Sequence, residues 1–245
     1  MKTTFYPVGD TGALYYAKQF LISHGWHCAA SAGPDVTHVL LPVPSFASDG
    51  RIQGGFNPWH LLGDLPDNVT VIGGNLKHPS LQGYQTIDLL QDPTYLAENA
   101  AITADCAIRI AGQNLPVVFR DCPVLIIGWG RIGKSLTWQL HMLGAAVTVA
   151  ARKETDRALA GALGFQTAFL PLEACKGYRV IINTVPFPVL DASNCADDCV
   201  LLDLASNPGI QGEHVLWARG LPGKLAPASS GQLIGKTILR LIERG

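Results

Sequence analysis

The run Val124-Leu125-Ile126-Ile127, followed by Gly128-Trp129-Gly130-Arg131-Ile132-Gly133, constrains this chain more than any other feature. Four apolar residues in succession suit a strand buried on both faces, as in a parallel sheet. The run stops at glycine and gives way to a helical spacing of apolar residues at Ile132, Leu136, Leu140 and Leu143. Strand, Gly-x-Gly-x-x-Gly and helix in that order is the context in which a dinucleotide fingerprint has mechanical meaning. Gly128 would allow the tight turn, Gly130 would let a pyrophosphate approach the backbone, and Gly133 would let helix and strand pack closely. The helix start would then offer free N–H groups and a partial positive charge to the phosphates.

The same residues also spell Gly128-x-x-x-x-Gly133-Lys134-Ser135, which is the P-loop pattern, and Val200-Leu201-Leu202-Asp203 would serve as its magnesium-binding strand. A plain glycine-rich turn is a third reading. Residues 145–151 favour the dinucleotide, because they form a second apolar strand ending roughly 20 residues beyond the fingerprint, where a ribose-reading residue belongs. That reader is not an acid. Ala151-Arg152-Lys153 stands where Asp or Glu would bind the ribose hydroxyls of NAD. A small residue followed by a planar, permanently charged one leaves room for a 2′-phosphate, so NADP is expected over NAD. The alternative is that Arg152 and Lys153 are a solvated start to a helix over residues 154–163.

Strands are expected at residues 4–8, 38–43, 69–72, 179–183 and 200–204, and helices over 12–24, 92–111 and 229–244. Residues 45–67 read as a long irregular loop and 220–224 as a shorter one. The fold class is therefore α/β: a Rossmann-type parallel-sheet domain at 115–226 and a smaller N-terminal α/β domain of flavodoxin-like type at 1–98. A connecting helix at 99–114 joins them, and a C-terminal helix at 227–245 packs back towards the N-terminal domain. Ligands of open parallel sheets sit beyond the carboxyl ends of the strands. This makes Asn183, Thr184, Val185 and Pro186 on one loop, and Leu204, Ala205, Ser206 and Asn207 on another, candidates to meet cofactor or substrate.

Composition removes several classes. A net charge of -1 with 15% charged residues leaves neither a nucleic-acid footprint nor an acidic tail. No apolar run approaches the ~18 residues of a membrane span. Pro7 and Gly9 interrupt the start before a signal-peptide core can form, so a cytoplasmic protein is expected. The six cysteines form no paired C-x-x-C ligand sets, so no metal site is expected, and Cys195 and Cys199 read as flanking the turn before a strand. The histidines read as caps or surface groups, and no hydrolase motif occurs. An apolar fraction of 48% exceeds the need of a lone monomer and points to a homo-oligomer or a partner contact.

With these motifs assembled, the chain resembles the family of dipicolinate synthase A-type subunits. Gly128-Trp-Gly-Arg-Ile-Gly133 is similar to its Gly-x-Gly-Arg-x-Gly loop, Ala151-Arg152 to its Ala-Arg, and Ile182-Asn183-Thr184-Val185-Pro186 to its Ile-Asn-Thr-Ile-Pro. Leu202-Asp203-Leu204-Ala205-Ser206, Gly220-Leu221-Pro222-Gly223 with Ala226-Pro227, and Gly231-Gln232 also match, while Asn99, Thr103 and Asp105 fit its Asn…Thr-x-Glu stretch. The chain departs from the family at Asn207, at Ala228-Ser229-Ser230 and at Val8-Gly9-Asp10-Thr11-Gly12, losing cations at two positions.

The resemblance implies a two-domain NAD(P)-binding architecture like the formate/glycerate dehydrogenase group, with the active site in the cleft. It implies oxidation of dihydrodipicolinate, or its hydrated precursor, to dipicolinate with hydride passing to NADP. A second, small flavoprotein-like subunit is implied as well. Asn99, Thr103, Ser206, Asn207 and Lys224 are then the candidates to hold a small dicarboxylate substrate, Lys224 supplying the charge lost elsewhere. The alternative is a catalytically silent NADP-binding subunit that regulates or scaffolds a partner.

Overall fold

The computed structural model describes residues 3–62, 65–66, 68–170, 172 and 175–243. Positions 63, 64 and 67 of the expected loop, and position 244 of the expected last helix, lie outside them. The chain divides into two compact units, one made of Met1–Asn99 with Pro222–Gly245 and the other of Ala100–Leu221.

The first unit opens with β1 (Thr4–Pro7), α1 (Gly12–Ser23), β2 (His27–Cys28), β3 (His38–Leu40), α2 (Pro58–Leu62), β4 (Thr70–Gly73) and β5 (Gln85–Asp88). Its five strands are all parallel in the order β2-β1-β3-β4-β5, the doubly wound flavodoxin-like order. α1 starts where the Thr11 hydroxyl accepts the Leu14 N–H at 3.3 Å, a side-chain N-cap. It stops at Gly25, whose φ of 82° lets the chain turn out of the helix while its N–H meets the Ile22 carbonyl.

α3 (Pro93–Asn114) runs from the first unit into the second. Asp92 caps it by accepting the Tyr95 N–H at 2.6 Å, and Pro93 at the first helical position gives up no hydrogen bond. The second unit then contains β6 (Pro123–Ile127), α4 (Arg131–Met142), β7 (Ala146–Ala150), α5 (Glu154–Ala162), β8 (Gln166–Ala168), β9 (Val180–Asn183), β10 (Leu190–Asp191), β11 (Val200–Asp203), β12 (Ile210–Gln211) and β13 (Val215–Trp217). Six strands form one parallel sheet in the order β13-β11-β9-β6-β7-β8. Numbered from β6 this is 3-2-1-4-5-6, the Rossmann order, whose reversal falls between β6 and β9. β10 and β12 make a separate two-stranded parallel ladder.

α6 (Leu221–Leu225) and α7 (Pro227–Ile242) follow. α7 lies on α1 through Gly231 and Gly235. A Cβ on Gly231 would overlap the Ala13 carbonyl oxygen and stand 2.7 Å from the Ala17 nitrogen, and one on Gly235 would overlap the Phe20 ring. The two backbones approach that closely only because these side chains are absent. At the other end of α7, Arg240 donates to the same Asp92 carboxylate oxygen that caps α3, at 2.6 Å.

Several expectations need correction. Residues 45–67 hold α2 and a pair of isolated bridges joining Phe46, Ile52 and Phe56, and residues 220–224 begin α6 rather than a loop. α3 passes through Gly112 to Asn114, and α7 begins two residues early because Pro227 fits its first turn. β2, β5 and β8 had no apolar run to announce them, and β13, although apolar at Val215-Leu216-Trp217, was not among the expected strands.

Replacing Gly231 with Ala forces a methyl group against the α1 backbone, so the urea midpoint should fall by the equivalent of roughly 1–3 kcal/mol. The Arg240 hydrogen bond holds the Asp92 carboxyl below its ordinary value of 3.8, opposed by burial and helped by the Tyr95 N–H. A depressed carboxylate stabilises the fold above its unfolded pKa and loses that contribution as pH falls through the folded value. Thermal unfolding of Arg240→Met between roughly pH 5 and pH 2 should therefore show a shallower acid loss than the parent chain. Parallel curves would dismiss the pair as a stabilising contact.

Candidate functional site

The three fingerprint glycines answer to different constraints. Gly128 has a φ of 105°, and a Cβ there would overlap the Thr184 hydroxyl and come within 2.9 Å of Val185 Cγ1. At Gly133 a Cβ would overlap the Gly128 carbonyl oxygen, because the first turn of α4 rests on the preceding loop. Gly130 differs. Its φ of -78° and ψ of -171° are open to any residue, and a Cβ would meet nothing within 4 Å. The protein itself thus requires two glycines, while the third keeps space beside the backbone at the start of a helix. No side chain caps α4 at Gly130. Free N–H groups beside unfilled space suit a pyrophosphate, so these residues fit a dinucleotide. Arg131 is exposed and Ile132 half-buried on the first turn, and Trp129 is buried.

Opposite that loop, the ends of β9 and β11 are tied by a fully buried Asp203. Its Oδ1 accepts the Asn183 amide at 3.0 Å and the Ala205 N–H at 2.9 Å, and its Oδ2 accepts the Gly209 and Ile210 N–H groups at 2.7 and 2.8 Å. The second Asn183 amide hydrogen goes to the Val185 carbonyl at 2.9 Å, and its oxygen accepts the Val185 N–H at 3.0 Å. Thr184 donates to the Ile127 carbonyl at 2.8 Å, joining this loop to the end of β6. The Asn183 and Thr184 side chains therefore shape the strand ends, with both amide hydrogens and the hydroxyl hydrogen engaged within the protein. Val185 and Leu204 are half-buried, Ala205 is buried, and Pro186, Ser206 and Asn207 are exposed. The same network answers the P-loop reading, since both oxygens of the aspartate that would hold magnesium are engaged by protein donors.

After β7 the chain passes through buried Ala151 to exposed Arg152 and Lys153. Arg157, on the first turn of α5, donates from Nη1 to the Ala151 carbonyl at 2.7 Å and the Arg152 carbonyl at 2.8 Å. Its guanidinium lies 4.7 Å from the centre of the Phe169 ring, and that of Arg152 lies 5.5 Å from the centre of Phe187. Sequence reasoning missed Arg157 and Phe187. A cation in the first turn of a helix, where acids are favoured, was the available signal.

Asn99 and Thr103 are one turn apart on the continuous α3, the first half-buried and the second 9% exposed. Lys224 is exposed on α6. Trp129 packs edge-on to Phe165, with Lys134 over its ring, and its buried indole N–H has no partner among the described residues. A cavity of about 300 Å³ between Pro123, His141, Ala146, Phe165 and Tyr178 opens where β6 and β7 begin, at the opposite end of the strands from the glycine loop. Burial pushes the Cys195 thiol up to about 11 and Cys199 to about 12, which leaves both protonated at neutral pH. Among the described residues no His, Cys, Asp and Glu cluster could hold a metal ion, and no helix is long and apolar enough to cross a membrane.

No protein-family model matches the chain. The sequence is 32% identical over 252 aligned positions to the A-type subunit of dipicolinate synthase from Bacillus subtilis (strain 168), covering 90% of this chain and 84% of that one. Among solved structures it is similar to the corresponding dipicolinate synthase subunit from Bacillus halodurans, with a TM-score of 0.83 at 21% identity over 98% of this chain and 97% of that one. A transhydrogenase from Sinorhizobium meliloti matches with a TM-score of 0.73 at 16% identity, over 97% of this chain and 84% of that one.

Asp203→Asn replaces an acceptor of four hydrogen bonds by a group with one accepting atom. At least one buried donor is left unmatched, which costs about 1–3 kcal/mol. Thermal melting should register the loss, and an unchanged melting temperature would mean that the loop does not depend on this carboxylate.

Proposed function

The chain belongs to the family of dipicolinate synthase A-type subunits, and on that footing we propose that it is an NADP-dependent oxidoreductase. The proposed reaction is oxidation of dihydrodipicolinate, or its hydrated precursor, to dipicolinate. Loss of a hydride and a proton makes the ring aromatic, so the step asks for orientation and a proton acceptor more than for strong activation. When bound, the nicotinamide supplies the hydride acceptor.

The observation that carries this reading is Gly130. Among the described residues nothing needs a glycine there, yet a side chain would fill the space before the uncapped start of α4. Backbone N–H groups of the 128–133 loop would hold the pyrophosphate, with Trp129, Arg131 and Ile132 contributing main chain. Ala151, Arg152 and Lys153 would receive a 2′-phosphate, since no acid stands there to repel it. Val185, Pro186, Leu204 and Ala205 would border the dinucleotide, with Asn183 and Thr184 fixing the loops behind them. We assign substrate contacts to Asn99, Thr103, Ser206, Asn207 and Lys224, the last as the cation for a carboxylate. A second, flavoprotein-like subunit is proposed because the relatives are each one subunit of a synthase, and self-association from the apolar surplus.

A Gly130→Ala variant separates the ligand from the fold. Alanine is compatible with the backbone there and should leave stability unchanged or raise it by about 0.4–1 kcal/mol. Dinucleotide affinity should fall at least roughly tenfold, or about 1.4 kcal/mol. The parent chain should bind NADP about one to two decades more tightly than NAD, from one charge-assisted phosphate contact of about 1.5–3 kcal/mol. An unchanged affinity in the variant would remove the loop from the site, and tighter binding of NAD would reverse the cofactor assignment.

A further inference from the structure

Around the turn after β7 two arginines and two phenylalanines form a chain of contacts. The Phe187 ring carries the Arg152 guanidinium, the Arg152 carbonyl accepts from Arg157, and the Arg157 guanidinium rests on Phe169. Arg157 also bonds the Ala151 carbonyl, so one Nη1 group clamps two successive peptide units of the turn. Phe169 and Phe187 are 60% and 39% exposed, which places these contacts at the surface. Among the described residues neither arginine is paired with a carboxylate, although Glu154 and Asp156 lie in the same first turn of α5. Among the described residues nothing cancels the charge of the two arginines.

We propose that Arg157 and Phe187 are positioning residues that set the cofactor specificity of Arg152, Arg157 by fixing the backbone of the turn and Phe187 by holding the guanidinium plane. This rests on the NADP reading and deepens it. A free arginine side chain samples many rotamers, and binding a phosphate must order it. Here the backbone that carries it is fixed by two hydrogen bonds and its plane by a cation–π contact, so much of that ordering is already done. The same arrangement gives Arg157 an indirect role. Its Nη1 is engaged by carbonyls and one face by Phe169, so it acts on the 2′-phosphate through Arg152. The ligand that reads this site is an adenosine 2′-phosphate, and a 2′-hydroxyl gains nothing from the alignment.

Calorimetric titration of the full chain with 2′,5′-ADP and with 5′-AMP isolates the 2′-phosphate, the group by which these probes differ. The parent chain should prefer 2′,5′-ADP. Arg157→Met should lower that preference roughly threefold to tenfold while changing 5′-AMP affinity less than about twofold, and Arg157→Lys should recover part of it. Phe187→Leu keeps an apolar side chain without the ring quadrupole and should lower the preference about twofold to fivefold, the range of an exposed cation–π contact. No preference in the parent chain would overturn the NADP reading and this inference with it. A preference that survives both substitutions, or equal losses for both probes, would overturn the inference alone. A loss in Arg157→Met as large as in Arg152→Met would also overturn it, by making Arg157 a direct phosphate ligand.

Discussion

Asp203 is the point on which the open end of the Rossmann sheet depends. A carboxylate that is fully buried in an apolar sheet is costly unless its oxygens are satisfied. Here four donors do so, one from the end of β9, two from the loop after β11 and one from the start of β12. The bonds hold residues 204–209 as a defined loop between β11 and β12 where a flexible one would otherwise follow the strand. Trp217 adds to this by donating its indole N–H to the Ala205 carbonyl at 3.0 Å. Through Asn183 the same network fixes Val185, and Val185 with Thr184 sets the wall against which Gly128 turns. The glycine loop is thus shaped by a residue 75 positions away.

The first unit meets the same difficulty in the same way. Asp88, at the end of β5, accepts the Asn75 and Leu90 N–H groups on one oxygen at 3.0 and 2.9 Å and the Leu76 N–H on the other at 3.1 Å. Buried Ser45 accepts the Gly74 N–H at 3.0 Å and donates to the Pro42 carbonyl at 2.9 Å, joining the loops after β3 and β4. Parallel strands all end on one side, so their loops crowd together with unpaired backbone donors. Short polar side chains at strand ends are the economical partners for them.

How much of this could be read from the residues depends on the range of the cause. β6, β9 and β11 are central strands buried on both faces and β7 is a central strand buried mainly on one, and their apolar runs announce them. β5 and β8 carry Gln85-Thr86 and Gln166-Thr167 at the margins of their sheets, where one side of the strand meets solvent and no apolar run is demanded. Gly128 and Gly133 are legible because a positive φ and a helix resting on a carbonyl admit only glycine. The Asn183–Asp203 bond and the Arg157 clamp are not, since a side chain's partner carries no periodic mark in the chain. Asn183 and Thr184 illustrate the limit. Their position at the end of β9 and just after it suggested ligand contacts, whereas the bonds their side chains make within the protein carry no mark in the sequence.

The three glycines also show how a fingerprint can be divided into what the fold needs and what a ligand needs. A chain that kept this sheet but lost every ligand would still require Gly128 and Gly133, because overlap with Thr184 and with the Gly128 carbonyl does not depend on a cofactor. Gly130 would be under no such constraint. A glycine at an ordinary backbone conformation gives the unfolded chain extra freedom and so lowers stability relative to alanine. Its presence is a small cost with no return inside the protein, and the space it keeps open faces uncapped helix N–H groups. A motif match therefore carries functional weight in proportion to its positions that packing leaves unexplained, and here that weight falls on one residue.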